Sequence, residues 1–398
     1  MHHTIHIRII RFLAPWAIAL GCNHMVHAQP TGLVTGGFAG PVPGVTASTI
    51  TLGQSLYLSG PLGALGKDFS AGAQLYFDQL NAIGGVHGRQ VLVETMDDAY
   101  VPDRALENAR KLVEEKRVFS LFQFAGTGSV AKVAPWVDAV GVPLCAAVAT
   151  GPELRAKTFK RVFYVRAGNQ EEVQAILKQL AVVGRNQSLG VLYLDAPYGK
   201  EVLATLQKEL VTSSTKIVAA AIPLGQDSAD QIKKSVKLVV ESNPQAILLV
   251  TAGKSSVAVV SELRNYPLKP GTLYGLAAAF TASELQALGQ LAEGIVISQV
   301  IPNPQKPSSQ LGTEFSKLAR KKNIAVNFAS MEGWLNAKVC SAALQKAGRN
   351  LTRASFVQAL EQLNFDIGGV HIQYAPQRHG GSRFVELTMV GAGGKFMH

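Results

Sequence analysis

Short apolar strands alternate with amphipathic helices along almost the whole chain, and that alternation limits the fold more than any other feature. The first strand opens at Thr49-Ile50-Thr51-Leu52-Gly53. A helix is predicted from about 66 to 83, where Phe69, Ala73, Tyr76, Phe77 and Leu80 form one apolar stripe and Gly84-Gly85 stops it. Val91-Leu92-Val93 reads as the next strand. A helix begun by Pro102 then carries Leu106, Ala109, Leu112 and Val113 inward. Strand 118–124, helix 127–140 and strand 142–147 continue the series. After Val162-Phe163-Tyr164-Val165 the alternation starts again: helix 169–183, strand 189–194, helix 198–211, strand 216–222, helix 229–241 and strand 245–251. Segment 309–362 is mostly helical, and 367–390 reads as two strands. Units of this length form parallel sheets with helices on both faces, and two series mean two lobes. The predicted class is therefore α/β, with two doubly wound parallel-sheet lobes. With 47% apolar and 16% charged residues, the chain can fill both cores.

The start of the chain is read separately. Arg8 and Arg11 precede a short apolar run from Phe12 to Gly21, and Val26-His27-Ala28 fits small-residue cleavage, so 1–28 is expected to be a secretory signal. A lipidated Cys22 is the alternative; Ala19 sits where such signals usually carry a larger aliphatic. Residues 29–47, rich in Gly and Pro, read as a flexible tether. Cleavage leaves Cys145 and Cys340, far apart in sequence and read as buried free thiols, although an exported compartment permits a disulfide. The net charge of +11 is scattered, with no cluster longer than Arg320-Lys321-Lys322, so no nucleic-acid partner is expected.

In open parallel sheets, ligands bind beyond the carboxyl ends of the strands. That places function in loops 55–66, 124–129, 148–153, 195–199, 251–255 and 276–281. Ala125-Gly126-Thr127-Gly128-Ser129 joins a strand to a helix, and the helix start with its hydroxyls suits one carboxylate; a plain glycine turn with a cap is the other reading. Thr150 either caps a short helix at Pro152 or turns its hydroxyl to a ligand. Tyr198, in Asp195-Ala196-Pro197-Tyr198-Gly199, closes over a solute from the other lobe or is a surface tyrosine. Lys254 lies in a cleft-edge loop and is a candidate cation. Gly66-Lys67 and Gly253-Lys254-Ser255 fail as phosphate loops, since positions 61 and 248 are Pro and Leu. No GxSxG, HExxH or strand–GxGxxG–helix pattern is present, so no catalysis and no cofactor are expected. Asp97-Asp98 reads as turn and capping chemistry, and Glu332 as an acid at a helix start.

Taken together, Leu58-Ser59-Gly60-Pro61, Asn81-Ala82-Ile83-Gly84-Gly85-Val86-His87-Gly88-Arg89, Asp97-Asp98, Gly141-Val142-Pro143, Thr150-Gly151-Pro152-Glu153-Leu154, Asp195-Ala196-Pro197-Tyr198-Gly199 and Ala292-Glu293-Gly294 resemble the branched-chain amino-acid-binding proteins, periplasmic receptors of ABC importers with the type I binding-protein fold. The resemblance covers about 48 to 390. It implies a three-crossover hinge near 166–168, 299–302 and 372–376, dividing the chain into one lobe of 48–167 with 300–373 and another of 168–299 with 374–398. It also implies a monomer that hands a small carboxylate solute to ABC permease subunits, or, as the alternative, a periplasmic sensor of the same fold. By resemblance Thr127 and Gly128 meet the ligand carboxylate, Val148 offers a backbone carbonyl, Thr150 a second hydroxyl, and Tyr198 closes from the far lobe. Two positions depart from the family. Leu276-Ala277-Ala278-Ala279-Phe280 carries no glutamate for an α-ammonium, leaving Ala277 on the wall, and Leu65 stands at the stacking aromatic. An ammonium desolvated without a partner costs several kcal/mol.

Overall fold

A computed structural model describes residues 41–156, 159–224, 229–306, 308–394 and 396–397; the expected signal segment and tether residues 29–40 lie outside the described residues. The first series gives β1 (Thr49–Leu56), α1 (Gly63–Ala82), β2 (Gln90–Asp97), α2 (Pro102–Arg110), β3 (Ser120–Phe122), α3 (Thr127–Val140), β4 (Leu144–Cys145) and α4 (Pro152–Ala156). The second gives α5 (Asn169–Val182), β5 (Ser188–Leu194), α6 (Pro197–Glu209), β6 (Lys216–Ile222), α7 (Ala229–Glu241), β7 (Ala246–Val250), α8 (Lys254–Leu263), β8 (Leu273–Gly275), α9 (Ala282–Leu288) and β9 (Val296–Gln299). The chain closes with α10 (Gln310–Lys321), α11 (Phe328–Ala347), α12 (Arg353–Glu361), β10 (Asn364–Ile367), β11 (Val370–Gln373), β12 (Glu386–Val390) and β13 (Phe396–Met397).

Two sheets carry the two lobes. The first is parallel in the order β2-β1-β3-β4, and parallel bridges add Val162 beside Leu144 and Gly380 beside Tyr164. The second has the order β13-β12-β9-β8-β7-β5-β6. It is parallel from β9 to β6, but β12 runs antiparallel to β9 and β13 antiparallel to β12. The chain's path accounts for this. Strand β9 leaves its sheet towards the first lobe, and β12 comes back from that lobe beside it, so the neighbours must run in opposite senses.

Two local expectations need correcting. Residues 374–382, assigned above to the second lobe, hydrogen-bond to the first sheet: Gly381 N–H donates to the Tyr164 carbonyl and Ser382 N–H to that of Val165, each at 2.8 Å. The chain rejoins β9 only from Glu386 onward. In addition, the described end of the tether is not loose, because the Gly44 carbonyl accepts from Thr51 N–H and Val45 bridges Ile50.

The first lobe is organised around α11, a helix buried on most of its faces, apolar along much of its length but carrying the buried polar residues Ser330, Glu332, Asn336 and Ser341. Helix α1 crosses it so closely that a Cβ on Gly72 would collide with the Ser330 carbonyl, and one on Gly333 with that of Phe69. This crossing sets Phe69 and Glu332 at one edge of the lobe. Helix α11 also lies on the sheet face, where Cys340 meets Cys145 in a disulfide with a Cα–Cα distance of 6.2 Å. The two cysteines are thus not free thiols. They are 195 residues apart in sequence, and only the packing of α11 on β4 brings them together. Such a link typically contributes about 2–4 kcal/mol.

Candidate functional site

The lobes enclose a cavity of about 510 Å3. That lies within the range of about 300–1,000 Å3 usual for small-molecule pockets. Most of its wall is apolar, with Leu62 just before α1 and Leu65 and Phe69 in its first two turns facing Phe280 and Leu285 across the gap. Tyr57 and Tyr100 meet edge to face at 5.3 Å on the same wall. Asp97 and Asp98 hold the adjoining turns. Asp97 accepts from the Leu58, Ser59 and Ala99 N–H groups, and Asp98 from the Ser55 hydroxyl and Tyr100 N–H. Their expected turn chemistry is what the structure contains.

Thr127 is the first residue of α3 and is buried against the cavity, where the helix start presents its positive pole. Thr150 and Tyr198 line the same space from opposite lobes, and the hydroxyls of both are buried without a partner. Val148 is also on the wall; its carbonyl already accepts from Gly126 N–H at 3.0 Å, which leaves one lone pair. Leu65 and Ala277 complete the expected residues that the fold brings together. Gly128 and Lys254 are not on the wall. Gly128 is wedged between Pro102 and Pro197, a contact from lobe to lobe that leaves little room for a side chain. Lys254 opens α8 with its side chain exposed to solvent.

Residues that the loop-by-loop reading missed carry most of the charge. Arg166, at the first crossing, donates to Glu172 at 2.9 Å and to Glu332 at 3.5 Å. All three side chains are buried, and Arg166 and Glu332 face the cavity. Glu172 is fully engaged, since its second oxygen accepts from Ala277 N–H at 2.9 Å and the Ser298 hydroxyl at 2.7 Å. Burial pushes the Glu332 carboxyl up; Arg166 opposes that shift and Glu172 adds to it. Burial also works against the Arg166 charge, yet Glu332 and Glu172 hold the guanidinium above its ordinary value. Gln299, at the second crossing, lines the cavity with an unpartnered Nε2. A charged residue among the apolar neighbours Met331, Trp334 and Leu335 was the available signal for Glu332. It is not the acid at the helix start that the sequence suggests, because α11 begins at Phe328 under an Asn327 cap.

Comparisons with known proteins agree with this architecture. The family model described as periplasmic binding protein matches residues 49–395. Among curated proteins, Leu/Ile/Val-binding protein homolog 3 of Brucella melitensis is 25% identical, over 78% of this chain and 83% of its own length. A substrate-binding periplasmic protein from Ralstonia solanacearum superimposes with a TM-score of 0.79 at 28% identity, covering 87% of this chain and 99% of that one. An extracellular ligand-binding receptor from Verminephrobacter eiseniae, 24% identical, shares the fold with a TM-score of 0.80 over 88% of this chain and all of its own.

Proposed function

Because this chain belongs to the periplasmic binding protein family, we propose that it is the solute receptor of an ABC importer, closing two lobes over a small molecule that bears a carboxylate. The observation that carries this reading is the group of unpartnered, buried polar atoms on the cavity wall: Thr150 Oγ1, Tyr198 OH and Gln299 Nε2. A buried hydroxyl or amide without a partner costs about 1–3 kcal/mol, and an anionic headgroup would satisfy all three beside the positive end of α3. The apolar remainder of the wall suits an aliphatic or aromatic body, as in a branched-chain amino acid or a related organic acid. The name of the Brucella relative supports the same class. The receptor would act in the periplasm after cleavage behind Ala28. Its lobes would divide near 167 and 299 and, given the pairing of Gly381 and Ser382 with the first sheet, after 382.

Thermal shift against amino acids and aliphatic and aromatic carboxylates tests the reading. A ligand at a hundredfold excess over Kd should stabilise the protein by about 2.7 kcal/mol. Thr127→Ala and Thr150→Ala should each weaken a carboxylate ligand by about tenfold or more. A flat response across the panel, or unchanged affinity in both variants, would remove the carboxylate from the site.

Closure should also depend on pH. Glu201 of α6 lies against Gly151 of the opposite lobe with no space for a Cβ between them, and its Oε2 is buried without a partner. Burial, with Glu153 nearby, raises its carboxyl to about 7. A raised carboxyl favours the closed form fully below the ordinary carboxylate value, and that advantage is lost as pH rises through about 7. Glu201 is partly exposed, so screening trims the effect to about 1 kcal/mol, roughly fivefold in Kd. Affinity measured at pH 5.5 and pH 8 should differ in this sense for the native protein and not for Glu201→Gln.

A further inference from the structure

The loop at 276–280 has no acid, yet the wall it belongs to is not without one. Glu172 and Glu332 share the single guanidinium of Arg166, and no other lysine, arginine or histidine among the described residues is paired with either carboxylate. The sharing is unequal. Glu172 takes the shorter contact and fills its other oxygen with Ala277 N–H and the Ser298 hydroxyl. Glu332 holds Arg166 only at 3.5 Å and faces the cavity. One buried carboxylate therefore exceeds the available cations, on the wall of a space large enough for a solute. Around the same space lie the unpartnered Thr150 Oγ1, Tyr198 OH and Gln299 Nε2, and the positive pole of α3 at Thr127.

We infer that Glu332 receives a protonated amine of the ligand, so that the cavity is built for a zwitterion whose carboxylate lies at Thr127 and Thr150. This rests on the carboxylate-receptor reading and narrows it to amino-bearing acids. The assignment follows from charge balance: an ammonium next to Glu332 brings the Arg166, Glu172 and Glu332 group to neutrality, where a second anion would add to the excess. It also explains how the chain dispenses with an acid after β8, since Glu172 behind that loop is occupied in holding Ala277 and Arg166 in place.

The test uses matched probes: leucine against 4-methylpentanoate, and phenylalanine against 3-phenylpropanoate. Each is titrated calorimetrically into the native protein and into Glu332→Gln, with thermal unfolding of the variant recorded alongside. The native protein should bind at least one amino-bearing probe about tenfold or more tightly than its amine-free partner, and Glu332→Gln should erase that difference. The comparison on the native protein needs no variant, so it decides the matter even if Glu332→Gln does not fold. Equal or tighter binding of the amine-free acids overturns the inference and leaves the carboxylate receptor standing. A preference for the amine that survives Glu332→Gln overturns the role of Glu332. Absence of binding by every probe, together with a flat carboxylate panel, overturns the reading on which the inference rests.

Discussion

Arg166→Ala is expected to destabilise the protein by about 3–5 kcal/mol at pH 8, the usual cost of leaving buried carboxylates without their cation. The guanidinium is the shared partner of Glu172 and Glu332, all within a few percent of full burial. Burial already raises the Glu332 carboxyl while Arg166 holds it down, so removing Arg166 moves it further up. The sign of the pH dependence follows. Where the Glu332 carboxyl is protonated the missing cation matters least; as pH rises, its unpaired charge must be carried in the interior and the deficit grows. Urea unfolding at pH 5 and pH 8 reads this directly. The loss should be larger at pH 8, and adding Glu332→Gln to Arg166→Ala should recover part of it. A loss of equal size at both pH values, with no recovery in the double variant, would show that Arg166 acts by packing alone.

Arg166 also marks where reading along the chain stops being sufficient. Helix α3 begins at Thr127 and ends at Val140, as its flanking glycines predict, because Gly126 and Gly141 both take positive φ values that side chains resist. Thr150 and Tyr198 were legible as candidates because ligands in parallel sheets lie beyond strand ends, and both reach the cavity. The same rule admitted Lys254, which opens its helix with the side chain turned to solvent, since a rule about loops does not say which way a side chain points. Arg166 and Glu332 are 166 residues apart, and Cys145 and Cys340 are 195 apart. Neither pairing leaves a local trace; each depends on how α11 seats against the first sheet and the crossing strand. The antiparallel β12 escaped for a related reason. Its direction follows from which lobe the chain returns from, and not from its own alternation of side chains.

The seating of α11 is itself open to test, with the largest effect expected of any single change. At the α1–α11 crossing two backbones touch through Gly72 and Gly333, and a Cβ at either position would collide with a carbonyl of the facing helix. No flexible side chain is available there to move aside, so the helices themselves must part. Gly333→Ala should therefore cost more than 3 kcal/mol, at or above the upper end for overpacked interiors, and lower Tm by roughly 4 °C or more for a chain of this size. Gly72→Val, which is bulkier and branched, should prevent accumulation of folded protein. Gln74→Ala, exposed on α1, should stay within about 0.5 kcal/mol of the native protein. Because Glu332 precedes Gly333, parting the helices also withdraws the carboxylate from Arg166. Gly333→Ala should then lose ligand affinity even at temperatures where it remains folded. A Gly333→Ala protein that melts within a degree of native would mean that the crossing can open without cost, and the placement of Glu332 on the cavity wall would lose its structural basis.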